Sequence, residues 1–263
     1  MVDAAIRPLI AAVSEAADHA LELWAGGATQ VRRWEKTPGQ PVCEADLAVN
    51  MMLRASLGEI APDAGWLSEE TADNDERLFA DRLWVVDPID GTRDYLAGKP
   101  GWAVSVALIE HGEPVIGILA APARNELWIA QAGQGARRND KILRASERSG
   151  LSGARVPVDH LPEADADLTI VFKPNSIALR MAMVAANEAD LLATIRWGNE
   201  WDIAASALIA QEAGAIVTDA LGGALRFNRP NPTAFGVLCC APAIHAAAVE
   251  RLHDRAQALL GTP

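Results

Sequence analysis

The stretch WVVDPIDGTRDY, residues 84–95, joins a short apolar run to two closely spaced carboxylates and a glycine. Bulky and β-branched residues such as Val85 and Val86 favour a buried strand. Pro88 lacks the N–H group that a paired central strand needs, so we expect the strand to end at Asp87. The stretch therefore predicts a strand, a tight turn and the start of a helix.

The same turn carries reactive groups. Asp87 and Asp90 are three residues apart, and two carboxylates on one turn repel each other unless a cation lies between them. Hard oxygen ligands of this kind suit Mg²⁺ or Ca²⁺. The backbone N–H groups of Gly91 and Thr92, at a predicted helix N-terminus, suit a phosphate. We therefore expect a metal ion and a phosphate side by side at this turn.

The composition limits the class of protein. The 263 residues, 50% of them hydrophobic, suit one large domain or two closely packed ones. A net charge of −12 disfavours nucleic acid and anionic membranes as partners. An anionic substrate then requires bound metal ions that reverse the local field. The three cysteines have no disulfide or zinc spacing, and no signal peptide or membrane span is recognisable, so we expect a cytoplasmic protein.

The first half of the chain predicts two helices followed by neighbouring strands. Apolar residues at helical spacing predict helices over residues 4–24 and 44–60, with a loop over residues 36–41 between them. Strands without intervening helices indicate an antiparallel sheet. These strands are expected at residues 65–68, 104–109, 115–119 and 126–131. Periodicity is lost over residues 141–153, which predicts an N-terminal α+β domain of residues 1–153.

The second half predicts strands that alternate with helices, as in an α/β domain of residues 154–263. The expected helices are residues 176–186, 202–213 and 242–260. The expected strands are residues 156–158, 168–172, 191–195, 216–218, 225–227 and 236–240.

Four carboxylates at strand ends or helix starts form the candidate site. Taken alone, Asp46 and Asp202 are explained best as N-cap or first-turn acids that the helix dipole favours. Together with Glu69, Asp87 and Asp90, however, Asp202 supplies enough oxygen ligands for two divalent ions. The chain has no nucleophile elbow, P-loop, zinc-protease motif or dinucleotide fingerprint. Metal-assisted phosphoryl transfer to water is therefore the leading chemistry.

Several motifs, in this order, resemble the inositol monophosphatase superfamily. They are Lys36 with PVCEAD at residues 41–46, Glu69-Glu70, DPIDGT at residues 87–92 and WDIAA at residues 201–205. The resemblance covers nearly the whole chain. It implies a layered αβαβα sandwich, between the α+β and α/β classes, and a Mg²⁺-dependent, lithium-sensitive phosphomonoesterase.

The resemblance also implies a set of metal ligands. One Mg²⁺ ion would be held by Glu69, Asp87 and the backbone carbonyl of Ile89. A second would be held by Asp87, Asp90 and Asp202. The pattern allows a third, weaker ion near Glu69.

The same resemblance implies roles in activating water. Thr92 and Asp46 would orient and deprotonate the attacking water, with Glu70 supporting them from nearby. One ion would lower the pKa of the water while another stabilises the leaving oxygen.

Within the superfamily, EWD at residues 200–202 and the DPIDGTRDY form most resemble bacterial 3'(2'),5'-bisphosphate nucleotidases, which act on adenosine 3',5'-bisphosphate. Two departures from the family pattern are Cys43, in place of threonine, and KPNS at residues 173–176, in place of a Gly-Ser pair. Lys173 could contact a second phosphate or a base, or be a solvated surface residue. The predicted substrate-binding residues are Gly91, Thr92, Lys173, Ser176, Arg180 and Glu200.

Other functions remain open within the same resemblance. The substrate could instead be inositol 1-phosphate, histidinol phosphate or fructose 1,6-bisphosphate. A non-enzymatic alternative is a binding partner of the transcription machinery, since some relatives have that role. The expected partner is a small phosphorylated substrate, without nucleic acid or membrane, and the resemblance allows a homodimer.

Overall fold

A computed structural model describes residues 6–24, 31–37 and 40–260 of the chain. Residues 4 and 5 of the first predicted helix, residues 38 and 39 of the predicted loop and the side chain of Lys36 lie outside the described part. None of the helices in the described part is long and apolar enough to span a membrane.

Two helices form the first layer. Helix α1 (Arg7–Leu23) and helix α2 (Glu44–Ile60) confirm the two predicted N-terminal helices. The loop predicted over residues 36–41 is wrong, because strands β1 (Arg33–Thr37) and β2 (Gln40–Cys43) form an antiparallel pair here. Pro41 is accommodated in this two-stranded ribbon, where each strand has an open edge.

Seven strands form the main sheet. All neighbouring pairs are antiparallel except the first two, which are parallel, so the predicted antiparallel sheet is largely confirmed. The hairpin between the second and third strands of the predicted set, residues 104–109 and 115–119, turns at His111 and Gly112, which have φ values of 50° and 80°. The strands, in sheet order, are β3 (Gly65–Ser68), β4 (Arg82–Asp90), β5 (Ala103–Glu110), β6 (Glu113–Ala121), β7 (Glu126–Gln131), β8 (Ala136–Arg138) and β9 (Lys141–Ile142).

Strand β4 does not end at Asp87, as the sequence predicted, but continues to Asp90. Asp87 pairs with Ser105 and Asp90 pairs with Ala103. Between these two pairs β4 contains one residue more than β5, which makes a β-bulge. This bulge accommodates Pro88, which cannot donate to the ladder. It also puts Asp87 and Asp90 on the same face of the sheet, which a regular strand would not do at this spacing. The short helix α3 (Thr92–Leu96) follows directly.

The second half adds a three-stranded sheet and three more helices. This sheet has the strand order β12 (Leu191–Asn199), β14 (Thr233–Cys240), β13 (Ile216–Thr218), and both of its pairings are antiparallel. A parallel pairing occurs in the separate two-stranded sheet of β10 (Arg155–Val156) and β11 (Thr169–Ile170). The predicted strand at residues 225–227 is wrong, since that segment is irregular. The elements are β10 (Arg155–Val156), β11 (Thr169–Ile170), α4 (Ile177–Ala185), β12 (Leu191–Asn199), α5 (Glu200–Glu212), β13 (Ile216–Thr218), β14 (Thr233–Cys240) and α6 (His245–Leu260).

Alternating side chains stack these elements into five layers. Trp84 and Val86 of β4 pack with α1 and α2, whereas Leu83 and Val85 face α4 and α5. The small sheet covers the far side of α4 and α5, and α6 packs on its outer face. The αβαβα sandwich is therefore confirmed. The largest hydrophobic cluster includes residues from both sides of residue 153, so one core crosses the predicted domain boundary.

Candidate active site

An open cavity of about 420 Å³ lies beside the β4 bulge. It collects residues from both sheets and from the starts of three helices. Its lining consists of Pro41, Glu69, Asp87, Ile89, Asp90, Gly91, Thr92, Arg93, Lys173, Asn175, Ile177, Arg180, Arg196 and Asp202. Nine of the residues predicted from the sequence are thus brought together: Glu69, Asp87, Ile89, Asp90, Gly91, Thr92, Lys173, Arg180 and Asp202.

Asp90 is buried against the start of helix α4. Its carboxylate accepts hydrogen bonds from the Ser176 hydroxyl at 2.5 Å and from the backbone N–H of Ala178 at 2.7 Å. The Ser176 oxygen in turn accepts from the backbone N–H of Leu179 at 2.9 Å, which makes it the N-cap of α4. The helix start therefore fixes the orientation of Asp90 and favours its negative charge.

Close contact between the turn and this helix requires glycine at position 91. Gly91 has a φ of 94°, in the left-handed region that favours glycine. A Cβ atom at Gly91 would lie 2.7 Å from the carbonyl oxygen of Gly101 and 2.9 Å from the nitrogen of Ser176. A side chain at this position would push α4 away from Asp90.

Asp202 reaches the cavity from the first turn of α5. Its carboxylate accepts from the backbone N–H of Asn199 at 3.1 Å, within a capping box. Glu69 comes directly after β3 and is half-buried. The first-turn role considered for Asp202 is therefore present, and it coexists with a place in the cavity.

The carboxylates raise one another's pKa. Burial raises the pKa of Asp87 well above its usual value, and the charges of Glu69 and Asp90 add to the rise. Burial raises the pKa of Asp202 to about 7, with a further contribution from Asp90. Burial also raises the pKa of Asp90 to about 6, although the hydrogen bond from Ser176 opposes the shift. The cluster holds more negative charge than its surroundings neutralise.

The donor set fits a hard divalent cation, since such an ion would neutralise these carboxylates. Within residues 6–24, 31–37 and 40–260, however, no three acidic, histidine or cysteine side chains stand close enough together to hold a metal ion. The carboxylates line one cavity without converging on one point.

Asp46 lies behind the cavity wall rather than in its lining. It is 1% exposed, and its Oδ2 atom accepts from both the backbone N–H and the thiol of Cys43, each at 2.9 Å. Burial raises the pKa of the Cys43 thiol to about 12, so the thiol stays protonated and can donate. The other oxygen, Oδ1, lies 3.3 Å from the Thr92 hydroxyl, which also lies 3.0 Å from the carbonyl of Ile89. Asp46 therefore reaches the cavity through Thr92.

The structure corrects two predicted substrate contacts. Ser176 is fully buried and holds Asp90, so it does not face the cavity. Glu200 is 1% exposed, and its carboxylate accepts from the backbone N–H groups of Asn228 and Arg229. Both polar groups are already occupied by partners within the protein. Glu70 is half-buried and also lies outside the lining.

A group of cations, only partly foreseen, shares the cavity with the acids. Lys173 and Arg180 were predicted, whereas Arg93 and Arg196 were not. Arg180 donates to the backbone carbonyls of Ser176 and Asn175. Its burial lowers its pKa, and the charge of Arg196 adds to this effect although Asp90 opposes it. Arg196 could be anticipated only from its place near the end of β12, just before the EWD motif.

Comparison with known proteins gives the class of this site. The sequence model of the Inositol monophosphatase family matches residues 2–258. A fructose-1,6-bisphosphatase/inositol-1-monophosphatase of Thermotoga maritima is 34% identical over 194 residues, covering 69% of this chain and 72% of that protein. The solved structure of a Thermotoga maritima IMPase matches with a TM-score of 0.81 at 28% identity, over 96% of this chain and 98% of that chain.

Two further relatives have different names. The Nus factor SuhB of Xylella fastidiosa is 35% identical over 195 residues, covering 68% of this chain and 69% of that protein. The 3'(2'),5'-bisphosphate nucleotidase CysQ of Shigella flexneri is 30% identical over 204 residues, covering 73% of this chain and 82% of that protein.

The fold and these relatives define a phosphatase, a phosphoric monoester hydrolase that acts on a small phosphorylated substrate. The chain belongs to the inositol monophosphatase family, whose members are metal-dependent.

Proposed function

We propose that this protein is a Mg²⁺-dependent phosphomonoesterase whose substrate carries a second phosphate, with adenosine 3',5'-bisphosphate as the leading substrate. The observation that carries the proposal is the presence of Lys173, Arg180 and Arg196 in the cavity that holds the carboxylates. Lys173 donates to the carboxylate of Asp159, whereas among the residues that the structure describes neither Arg180 nor Arg196 forms an ion pair with a carboxylate. Two neighbouring guanidinium groups in one cavity suit a phosphate outside the reacting centre.

The ion would be held by the acids of the cavity. Glu69, Asp87 and the carbonyl of Ile89 would hold one Mg²⁺, and Asp87, Asp90 and Asp202 a second, with a third, weaker ion near Glu69. The bound ions supply positive charge that acidifies a water molecule and neutralises the phosphate. Because the acids do not converge in the structure, we infer that binding draws them together. We also expect lithium to inhibit the enzyme.

The chain's own groups orient the reactants. Asp46, held by Cys43, accepts from the Thr92 hydroxyl and thereby aims the Thr92 oxygen at the attacking water. A proton from this water can pass through Thr92 to Asp46. Gly91 and Thr92 line the cavity, where their backbone N–H groups would hold the phosphate, and Glu70 would support the site from nearby. Holding water and phosphate in line is the main task of the protein in such reactions.

A second candidate substrate is inositol 1-phosphate. It is favoured by the higher identity to the Thermotoga maritima protein, whose name includes inositol-1-monophosphatase, than to the nucleotidase CysQ. The same name includes fructose-1,6-bisphosphatase, a reaction on a substrate with two phosphates. Phosphate release from all three compounds, with histidinol phosphate added, ranks these candidates.

Replacing Arg196 by Gln tests the role of the second phosphate. We expect KM for adenosine 3',5'-bisphosphate to rise about tenfold, because the variant loses one exposed charge-assisted hydrogen bond to the second phosphate. KM for inositol 1-phosphate, with a single phosphate, should change less than twofold. The matched control is Arg144→Gln, which removes an exposed arginine outside the cavity. Equal changes in KM for both substrates would show that Arg196 does not bind a second phosphate.

A further inference from the structure

Arg77 is a buried cation that joins two distant parts of the chain. It lies in the 3-10 helix Asp75–Phe79 between β3 and β4 and is 2% exposed. Its guanidinium donates to Asp73 through Nε at 2.6 Å and through Nη2 at 2.8 Å. It also donates to the side chain of Asn228 at 2.7 Å and to the carbonyl of Arg229 at 3.0 Å. One side chain thus ties the segment after β3 to the loop before β14.

The same loop is bound to the start of helix α5. The Glu200 carboxylate accepts from the backbone N–H groups of Asn228, at 2.7 Å, and Arg229, at 3.1 Å. Asn228 has a φ of 61°, and its side-chain amide donates to the backbone carbonyl of Arg77 at 3.2 Å. The loop is therefore held from one side by Arg77 and from the other by Glu200.

Each end of this bridge lies next to an acid of the cavity. Glu69 is four residues before Asp73, and Asp202 is two residues after Glu200. Both acids line the cavity. Strand β3 and helix α5 belong to different layers, so the separation of Glu69 and Asp202 depends on side-chain contacts between layers. Residues Asp73, Arg77, Asn228 and Glu200 form one such contact, which we name the Arg77 bridge.

We propose that Arg77 is a positioning residue that sets the spacing of Glu69 and Asp202, and thereby the affinity of the site for its divalent ion. The inference rests on the proposed metal-dependent function. Burying the charge of Arg77 costs desolvation free energy, so a hydrophobic residue at this position would stabilise the fold equally well. What a hydrophobic residue cannot supply is the planar fork of donors that fixes the loop in one register.

Binding of Mn²⁺ without substrate, followed by electron paramagnetic resonance, tests the proposal. In Arg77→Met we expect the Kd for Mn²⁺ to rise about 10- to 100-fold, as for outer partners of ligands in other metal sites. The Mg²⁺ concentration for half-maximal phosphate release should rise by the same factor, and kcat at saturating Mg²⁺ should recover to within a few-fold. The control is Arg82→Met, which removes a surface arginine whose Nη2 donates to both oxygens of Asp63.

Asp73→Asn gives a milder variant in case Arg77→Met does not fold. The side chain of Asp73 is 33% exposed, and asparagine keeps its shape while removing the charge that orients Arg77. We expect a smaller rise in Kd in the same direction. A lower unfolding midpoint with unchanged Mn²⁺ affinity in the folded variants would overturn the proposal. Absence of Mn²⁺ binding and phosphate release in the unmodified protein would instead overturn the proposed function.

Discussion

Cys43 determines which carboxylate oxygen of Asp46 is available to the Thr92 hydroxyl. Its thiol and backbone N–H both donate to one oxygen of Asp46, which leaves the other oxygen for Thr92. The motif resemblance implies a threonine in the place of Cys43, and a protonated thiol can donate to the same acceptor as a hydroxyl would. The substitution is therefore compatible with catalysis.

Replacing Cys43 by Ala should lower kcat while leaving KM nearly unchanged. We expect kcat to fall about fivefold to tenfold, the equivalent of one hydrogen bond of roughly 1 kcal/mol. Steady-state kinetics measure this change, and Cys43→Thr should restore most of kcat. The control is Cys240→Ala, which removes an equally buried thiol from an apolar cluster and should affect only stability. Equal kcat values for Cys43→Ala and the unmodified protein would contradict the role given to the thiol.

Single residues were predictable where motif spacing fixed them. Glu69, Asp87, Asp90 and Asp202 all line the cavity, because strand ends and helix starts gather at one edge of the layers. The contact between Ser176 and Asp90 was not predictable, since it joins residues that are 86 positions apart. Such a contact depends on how α4 packs against the turn.

Among the elements, β4 and helices α4 and α5 create the charge of the site. The bulge in β4 turns Asp87 and Asp90 to one face of the sheet, and the first turn of α4 donates to Asp90. The first turn of α5 carries Asp202. Helices α1 and α2 were predictable from long apolar periodicity. The bulge was not, because a proline after a strand is an equally good signal for its end.

This gathering of acids should make stability without metal fall as the pH rises from 5 to 7.5. Burial raises the pKa values of Asp90 to about 6 and of Asp202 and Glu200 to about 7, and it also raises that of Asp87. Between the ordinary pKa and these values, the folded protein holds protons that the unfolded chain has released, so rising pH favours unfolding. His245, whose pKa burial lowers, opposes this trend as a single group.

Thermal unfolding in a chelator at the two pH values measures the effect. We expect a higher midpoint at pH 5 than at pH 7.5, and saturating Mg²⁺ should reduce the difference by binding the ionised acids. Asp202→Asn should weaken the pH dependence. A midpoint in chelator that rises from pH 5 to pH 7.5 would show that these acids are not destabilised by burial and mutual repulsion.

At the scale of the whole molecule, five layers share one continuous core. The largest hydrophobic cluster joins the main sheet to α4, α5 and the small sheet. The division into two domains at residue 153 stays a prediction. The cytoplasmic location and the homodimer also stay predictions. Strand pairing in the small sheet could not be predicted, because β12 pairs with β14 across an intervening helix and strand, and local patterns do not encode such partners.

The variant Asp90→Asn separates the loss of catalysis from the loss of folding stability. Asparagine retains an oxygen that can accept from Ser176 and Ala178 but removes the buried charge. Because burial raises the pKa of Asp90 to about 6, that charge is a liability to the metal-free fold, and the unfolding midpoint in chelator should not fall. The control is Asp140→Asn, an exposed acid in the turn between β8 and β9, outside the cavity.

Release of inorganic phosphate from adenosine 3',5'-bisphosphate, with and without Mg²⁺, tests the proposed metal-dependent phosphatase activity most directly. The unmodified protein and Asp140→Asn should release phosphate only with Mg²⁺, whereas Asp90→Asn should be slower by about 10³-fold. Full activity of Asp90→Asn would contradict the metal site. No release by the unmodified protein from this substrate, inositol 1-phosphate, histidinol phosphate or fructose 1,6-bisphosphate would contradict the proposed phosphatase activity.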